Sequence, residues 1–238
     1  MLLIRSALFN LCFFVLTPLF STLILLFRPF GFQASWFWAK GWSHTILWLA
    51  HIICGIRIKI EGQEHFPDEP CVVMAKHQSA LETLAMPALV PSYVWILKRE
   101  LFYIPVFGWA LAAIGAIAIR RGNPREAIKQ VIEQGKQRLA EKRWVVIFPE
   151  GTRSVVGTTG NYQPGGVVVA QKAGAAILPM AHNAGVHWPK RGFIKRPGTV
   201  TFHFLPLIPA ETVANTKRNK LLETLQQDIE SASRELGG

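Results

Sequence analysis

A histidine followed five residues later by a carboxylate is the strongest chemical signal in the sequence. Residues 76–82 read KHQSALE and follow the apolar run 71–75. A histidine at the end of a buried strand, beside water but near the core, is well placed to accept a proton. If a helix begins just after His77, the Glu82 carboxylate can approach one imidazole nitrogen, fix its tautomer and stabilise the imidazolium. The pattern predicts a general base, His77, with Glu82 as its partner.

The same segment also has a purely structural interpretation. Ser79 and Glu82 match the S-x-x-E capping box, in which the serine caps a helix and the glutamate returns a hydrogen bond. Capping alone would explain both residues and leave His77 without a role. The two interpretations are compatible, because a capping geometry would itself position Glu82.

A second polar segment, residues 148–154, reads FPEGTRS and ends a valine-rich run that is typical of a core strand. Gly151 would let the backbone approach a ligand closely. Thr152 and Arg153 supply hydrogen-bond donors, and an arginine matches phosphate with two parallel bonds. The structural alternative is a plain polar turn.

A third segment, residues 98–109, reads KRELFYIPVFGW and places two cations before an apolar, aromatic stretch. This combination suits a lipid acid, since Lys98 and Arg99 offer charge for a phosphate and the following residues offer an apolar surface for a chain. The alternative is a solvated strand end followed by a core helix.

The elements that must position these segments alternate between strand and helix. The alternation predicts an α/β fold with a mixed, largely parallel sheet covered by helices. Asn123 and Pro124 suit the cap and first position of one helix. Strand-like runs are 56–61, 71–75, 94–97, 114–119, 144–148, 176–181 and 199–204, and helices are expected from 80, from 123, over 166–173 and over 216–236.

The N-terminal part of the chain has the character of a membrane segment. Residues 7–27 carry no charged side chain and are about long enough to cross a bilayer core of roughly 30 Å, although Pro18 disfavours a straight helix. A second apolar stretch, 32–56, is rich in tryptophan, which favours the headgroup level. We predict a membrane-embedded two-helix motif over 1–54 and a catalytic α/β domain over 55–238. A signal peptide and an ordinary buried helical pair are the alternatives.

Composition points to lipid rather than to nucleic acid. Half of the residues are hydrophobic, the net charge is +11 and the mean hydropathy is +0.24. A basic, apolar chain favours anionic lipid surfaces or acidic partners, and no helix-turn-helix, zinc-finger or RNA-binding signature is present. The three cysteines, Cys12, Cys54 and Cys71, suit neither a disulfide framework nor a zinc site. We therefore expect no metal, no cofactor and a reducing compartment.

A cluster of four cations, Lys190, Arg191, Lys195 and Arg196, lies among aromatic residues and prolines near the end of the chain. A solvated loop is one interpretation of this basic cluster. The other is a surface that meets anionic headgroups or the acidic face of a partner protein.

Four segments together resemble the 1-acyl-sn-glycerol-3-phosphate acyltransferase family, because they occur in that family's order. The segments are 77–82, 98–108, 148–154 and 177–180, and the resemblance covers about residues 55–210. It implies direct transfer without an acyl-enzyme, in which the histidine deprotonates a glycerol hydroxyl that attacks an acyl thioester. The implied catalytic residues are His77 and Glu82, and the implied substrate-binding residues are Lys98, Glu150, Gly151, Thr152 and Arg153, with Arg120 or Arg121 as a further candidate.

The sequence departs from the family pattern at two places. Glu82 stands where the family has aspartate, and one extra methylene still allows a carboxylate to reach the ring. Gln163 follows Tyr162 where the family often has lysine, so one substrate-facing charge is absent.

The resemblance implies acylation of the sn-2 hydroxyl of 1-acyl-sn-glycerol 3-phosphate (lysophosphatidic acid) to phosphatidic acid, in phospholipid biosynthesis. The expected donor is acyl-acyl carrier protein or acyl-CoA, and the expected location is the bacterial inner membrane with the site on the cytoplasmic side. Glycerol 3-phosphate and a lyso-aminolipid are alternative acceptors. A non-catalytic membrane protein is a further alternative, whereas a hydrolase is disfavoured because no G-x-S-x-G segment occurs.

Overall fold

The computed structural model of the protein describes residues 1–119 and 124–238. Arg120, Arg121 and the predicted helix cap Asn123 lie outside the described residues. The helices are α1 (Leu2–Leu26), α2 (Phe32–Cys54), α3 (Leu81–Leu89), α4 (Phe107–Ala113), α5 (Pro124–Ala140), α6 (Gly165–Ala173), α7 (Ala184–His187), α8 (Ala210–Asn215) and α9 (Arg218–Glu235). The strands are β1 (Ile56–Glu61), β2 (Val72–Ala75), β3 (Tyr93–Lys98), β4 (Ile117–Ile119), β5 (Trp144–Ile147), β6 (Ile177–His182) and β7 (Gly198–Phe204).

The strands of the described residues form one sheet in the order β1-β7-β6-β2-β5-β3-β4. Neighbouring strands run parallel, except that β6 and β7 are antiparallel. The prediction of a mixed, largely parallel sheet covered by helices is confirmed. Because β2, β5 and β3 are parallel neighbours, their carboxyl ends meet at one edge of the sheet, where ligands bind in such folds.

Helices cover both faces of the sheet, and the central strand shows why. The residues of β2 are all buried, and successive side chains enter opposite cores. Val72 and Met74 pack with apolar side chains of α5, α6, α8 and α9, whereas Val73 and Ala75 pack with those of α1, α2, α3 and α4. Burial on both faces explains why this strand is a continuous apolar run rather than an alternating one.

Two predicted elements have different bounds in the structure. The run 114–119 is not one strand: Ile114 follows the end of α4, Gly115 turns the chain at φ +79°, and only Ile117–Ile119 pairs with β3. The predicted helix over 216–236 is α9, which is preceded by the separate short helix α8.

The N-terminal helix α1 runs through Pro18 without interruption. Among the described residues it is the one helix long and apolar enough to cross a membrane, and 22% of its most apolar window is buried inside the protein. Exposed apolar side chains such as Leu11 and Phe14 cover much of its surface. The exposed apolar surface of α1 therefore indicates association with a membrane.

The tryptophans of α2 do not all take the interfacial position expected from the sequence. Trp36 is buried and meets Tyr93 edge to face at 5.2 Å between ring centroids. Trp42 is also buried, and its indole N–H donates to Thr17 Oγ1 at 3.2 Å. The prediction is wrong for these two residues, because they fill the space between α2 and its neighbours, whereas Trp48 is exposed.

Candidate active site

The turn between β2 and α3 brings the predicted base and its partner into contact. Oε1 of Glu82 lies 2.7 Å from Nδ1 of His77 and accepts the N–H groups of Gln78 at 3.0 Å and Ser79 at 2.8 Å. The bond to Ser79 is half of a capping box, but Oγ of Ser79 accepts the nearer N–H of Leu81 at 3.1 Å. The capping box is therefore only half formed, because the N-cap of α3 is Ala80 rather than Ser79. The predicted contact of Glu82 with His77 is present, so one carboxylate oxygen both orients the histidine and closes the turn.

The environment of Glu82 decides the tautomer of His77. Glu82 is completely buried, and burial alone would raise its pKa, but the hydrogen bonds from His77 and from the Ser79 N–H hold that pKa below its ordinary value. An ionised carboxylate can only accept hydrogen bonds, so Nδ1 of His77 must carry the proton. The lone pair is then on Nε2, the nitrogen that a general base needs free for a substrate.

A ring stack supports the imidazole from the neighbouring strand. The ring of Phe148, just after β5, lies 4.2 Å from that of His77 with an angle of 17° between their planes. The His77 side chain remains 15% exposed. The imidazole is thus fixed on one face and at one nitrogen while it stays accessible to a substrate.

A cavity of about 440 Å³ opens at His77 and collects most of the predicted binding residues. Lys98, at the end of β3, lines it, as do Gly151, Thr152 and Arg153, from the loop after β5. Gly151 has φ +64°, a conformation in which a side chain would be strained. The convergence of neighbouring parallel strands explains why these segments, distant in sequence, meet at one site.

The family resemblance groups Glu150 with these residues, but its side chain has a different position. It is buried beneath the cavity, where Oε1 accepts the main-chain N–H of His77 at 2.8 Å. Oε2 lies 3.5 Å from Nζ of the buried Lys76. Burial raises the pKa of Glu150, against the opposing effects of the His77 N–H and the Lys76 charge. The structure therefore separates Glu150 from the residues that line the cavity.

A buried polar network lies behind the histidine, and no sequence pattern marks it. Nζ of Lys76 lies 2.6 Å from Oε1 of Glu230, in α9, and donates to the Thr158 carbonyl at 3.1 Å. The Tyr162 hydroxyl donates to the same Glu230 oxygen at 3.1 Å. The network ties the C-terminal helix to the end of β2. In the sequence, Glu230 is one polar residue of an amphipathic helix and nothing distinguishes it.

A second histidine missed by sequence reasoning lies at the end of β6. Nε2 of His182 lies 2.7 Å from the Lys76 carbonyl, and Nδ1 accepts the N–H of Ala184 at 3.2 Å. The ring is completely buried, and burial lowers the pKa of His182, so it is neutral with its proton on Nε2. No local pattern marks this residue, because its partner is on the adjacent strand.

The basic cluster is divided between three environments. Lys190 and Arg191 line the cavity at His77, and Arg196 is exposed. Lys195 is buried: Nζ donates to Oδ1 of Asn10 at 2.6 Å and lies 4.6 Å from the Trp188 ring centroid. A single surface of four cations is therefore wrong, because the ammonium of Lys195 is bonded inside the protein against α1.

A second, apolar cavity of about 150 Å³ adjoins the first. Its walls come from α1, α2, α3, β3 and α4, and it shares Thr83, Leu97 and Leu101 with the cavity at His77. The site therefore joins a polar, cationic space to an apolar one. Within the described ranges, no group of three or more His, Cys, Asp or Glu side chains is arranged to hold a metal ion.

Comparison with known proteins places this site in a family. The family model described as Acyltransferase matches residues 57–183, more than half of the chain and the part that carries His77, Lys98 and Arg153. The chain belongs to the acyltransferase family. The acyltransferase is 42% identical over 210 residues to the 1-acyl-sn-glycerol-3-phosphate acyltransferase of Pseudomonas aeruginosa, a match that covers 87% of this chain and 82% of the relative.

Other relatives extend the same similarity. The chloroplastic 1-acyl-sn-glycerol-3-phosphate acyltransferase LPAT1 of Arabidopsis thaliana is 30% identical over 209 residues, covering 85% of this chain and 57% of that protein. The crystal structure of the 1-acyl-sn-glycerophosphate acyltransferase of Thermotoga maritima aligns with a TM-score of 0.82 and 21% identity, covering 99% of this chain and 98% of the other. That structure has the same fold as the acyltransferase described here.

Proposed function

We propose that this acyltransferase moves a fatty acyl group from an acyl thioester to the sn-2 hydroxyl of 1-acyl-sn-glycerol 3-phosphate, which gives phosphatidic acid. The observation that carries the proposal is the placement of the His77–Glu82 pair where a cationic cavity adjoins an apolar one. An acceptor with a phosphate and a hydrocarbon chain needs both kinds of surface beside the base. The names of the relatives from Pseudomonas aeruginosa and Arabidopsis thaliana support the same acceptor.

The chemical step assigned to His77 is a proton transfer coupled to attack on the thioester. Nε2 takes the proton of the acceptor hydroxyl while its oxygen bonds to the thioester carbonyl carbon. The tetrahedral intermediate collapses, the carbon–sulfur bond breaks, and the imidazolium returns the proton to the leaving thiolate. The negative charge of Glu82 stabilises the imidazolium between these two steps. The acyl group passes directly to the acceptor, and no acyl-enzyme forms.

The phosphate of the acceptor is assigned to the cations of the cavity. Lys98 and Arg153 come from strand ends on the same edge of the sheet as His77. Arginine can bind phosphate through two parallel N–H bonds, and lysine acts as a point charge. Lys190 and Arg191 add positive charge to the same space. A phosphate bound there holds the glycerol hydroxyl near Nε2.

The hydrocarbon chain and the membrane are assigned to the N-terminal side of the molecule. Helix α1 supplies one wall of the apolar cavity and also carries exposed apolar side chains such as Leu11 and Phe14. An acyl chain can therefore leave the lipid without exposure to water, which would cost about 0.8 kcal/mol for each CH₂ group. We place the enzyme on the inner membrane of a bacterium with the site facing the cytoplasm, where soluble donors, acyl-acyl carrier protein or acyl-CoA, can reach it.

The proposal is tested by an acceptor and donor matrix. Purified enzyme in lipid-detergent micelles is given lysophosphatidic acid, glycerol 3-phosphate or lysophosphatidylethanolamine, each with acyl-acyl carrier protein or acyl-CoA, and products are identified by mass. We expect phosphatidic acid from lysophosphatidic acid with at least one donor, and a rate lower by roughly 10²- to 10⁴-fold with His77→Ala. Acylation of another acceptor in preference to lysophosphatidic acid would overturn the proposed substrate.

A further inference from the structure

The peptide group that joins Lys76 to His77 is held at both of its ends by side chains. Its carbonyl accepts the Nε2–H of His182 at 2.7 Å, and its N–H donates to Oε1 of Glu150 at 2.8 Å. His182 ends β6, and Glu150 follows β5, so the two side chains come from the two strands that flank β2. The last peptide group before the base is therefore bonded from both sides of its strand.

This peptide group lies where the sheet no longer fixes the backbone. Strand β2 ends at Ala75, so the ladder bonds of the sheet do not extend to His77. On its other side, the His77 carbonyl accepts the N–H of Ser154 at 2.7 Å. Side-chain hydrogen bonds thus take the place of the ladder bonds of the sheet at His77, where the orientation of the backbone determines the direction of the imidazole.

Both side chains are placed to hold the backbone rather than to react with a substrate. His182 is buried with both ring nitrogens engaged, so its tautomer is determined and it does not reach a substrate. Glu150 is buried between His77 and Lys76 and is absent from the lining of the cavity. Neither side chain touches the space in which the reaction occurs.

We propose that Glu150 and His182 are positioning residues, which hold the Lys76–His77 peptide group and thereby keep Nε2 of His77 in line with the acceptor hydroxyl. The inference rests on the proposed function only in taking His77 as the base. It gives Glu150 a role different from the substrate binding that the family resemblance implies.

Two substitutions at Glu150 separate the reach of the side chain from its charge. Glu150→Gln keeps an oxygen at the same distance but removes the charge, and Lys76 retains Glu230 as an ionic partner at 2.6 Å. Glu150→Asp keeps the charge but is one methylene too short to meet the His77 N–H. The proposal predicts that Glu150→Gln retains most of kcat, whereas Glu150→Asp loses it.

The same comparison applies to His182 without a change of charge. His182→Gln can place an amide N–H near the position of Nε2, whereas His182→Asn is too short to reach the Lys76 carbonyl. Tyr162→Phe is the matched control, because it removes a buried hydrogen bond of the neighbouring network and leaves the peptide group untouched. It should lower the melting temperature without lowering kcat.

The readouts are kcat, KM for each substrate, and the melting temperature of each variant. We expect Glu150→Asp and His182→Asn to lower kcat by roughly 10- to 100-fold, because a displacement of about 1 Å can cost about 100-fold in rate. Their KM values for lysophosphatidic acid and for the thioester should stay near those of the unmodified enzyme. The two glutamine variants should restore most of the rate.

Three results would overturn the inference. A raised KM for lysophosphatidic acid at normal kcat in Glu150→Asp would mean that Glu150 binds the acceptor. Normal kinetics in both short variants would mean that the peptide group needs no such support. If Glu150→Asp or His182→Asn does not fold, the glutamine variant of the same residue is the test. A folded glutamine variant that loses kcat contradicts the proposal, and one that keeps kcat supports it. His77→Ala tests the proposed function separately from the positioning role of Glu150 and His182. If His77→Ala stays active, the proposed function fails, whatever the activities of the Glu150 and His182 variants.

Discussion

Replacing Glu82 by glutamine separates the charge of this side chain from its shape. The variant keeps an oxygen that can accept the N–H groups of Gln78 and Ser79, which the carboxylate accepts at 3.0 and 2.8 Å. It removes the negative charge that lies 2.7 Å from Nδ1 of His77. The turn before α3 should therefore survive, while the imidazolium formed during the reaction loses the negative charge that stabilises it.

The size of the effect follows from the bonds involved. A hydrogen bond to a charged group contributes about 1.5–3 kcal/mol, so its loss in the transition state should lower kcat by roughly 10- to 150-fold. Glu82→Ala should do more harm to the fold, because it leaves two buried N–H groups without an acceptor at about 1–3 kcal/mol each. Glu82→Asp keeps the charge at a shorter reach and should retain partial activity.

The assay is the initial rate of phosphatidic acid formation at saturating lysophosphatidic acid, together with thermal unfolding followed by circular dichroism. We expect Glu82→Gln to be folded and slow, and Glu82→Ala to unfold at a clearly lower temperature. A fully active Glu82→Gln beside an early-melting Glu82→Ala would refute the reasoning, because Glu82 would then only cap the helix.

Three other predictions concern the acceptor and the membrane. Arg153→Ala should raise KM for lysophosphatidic acid by roughly 10- to 150-fold, because a charge-assisted hydrogen bond is lost, and KM for the donor should change little. A KM for lysophosphatidic acid equal to that of the unmodified enzyme would exclude Arg153 from the site. Replacing Lys190 and Arg191 by glutamine should also weaken acceptor binding, whereas the exposed Arg196→Gln should not, and equal effects of the two changes would mean that only overall charge matters. Removing residues 1–54 should give an aggregating, inactive protein in vesicle assays, because the deletion uncovers the buried Tyr93, on which Trp36 of α2 packs; a soluble, active fragment would contradict this.

The alternation of elements and the His77–Glu82 contact were predictable because they depend on local order. An apolar run without alternation, such as the one around Val73, marks a strand buried on both faces. His77 and Glu82 are five residues apart, so a strand, a turn and a helix suffice to bring them together. Lys98 and Arg153 were predictable as strand-end residues, and parallel neighbouring strands put both beside His77.

The residues that support the base were not predictable, because their partners are remote in the chain. His182 and Glu230 contact Lys76 across separations of 106 and 154 residues, and neither stands in a recognisable motif. Glu150 was found by its motif but misplaced, since a motif shows that a residue matters without showing which way its side chain points. Lys195 has the sequence context of a solvated charge cluster, whereas packing against α1 buries it.

The central claim, that His77 is the general base, is tested most directly by one rate measurement on His77→Ala. The variant should fold, since the ring makes its polar contact with Glu82 and otherwise stacks on Phe148. Its formation of phosphatidic acid from lysophosphatidic acid and an acyl thioester should fall by roughly 10²- to 10⁴-fold. Near-normal turnover in a folded His77→Ala enzyme, with the product identified by mass, would contradict the mechanism.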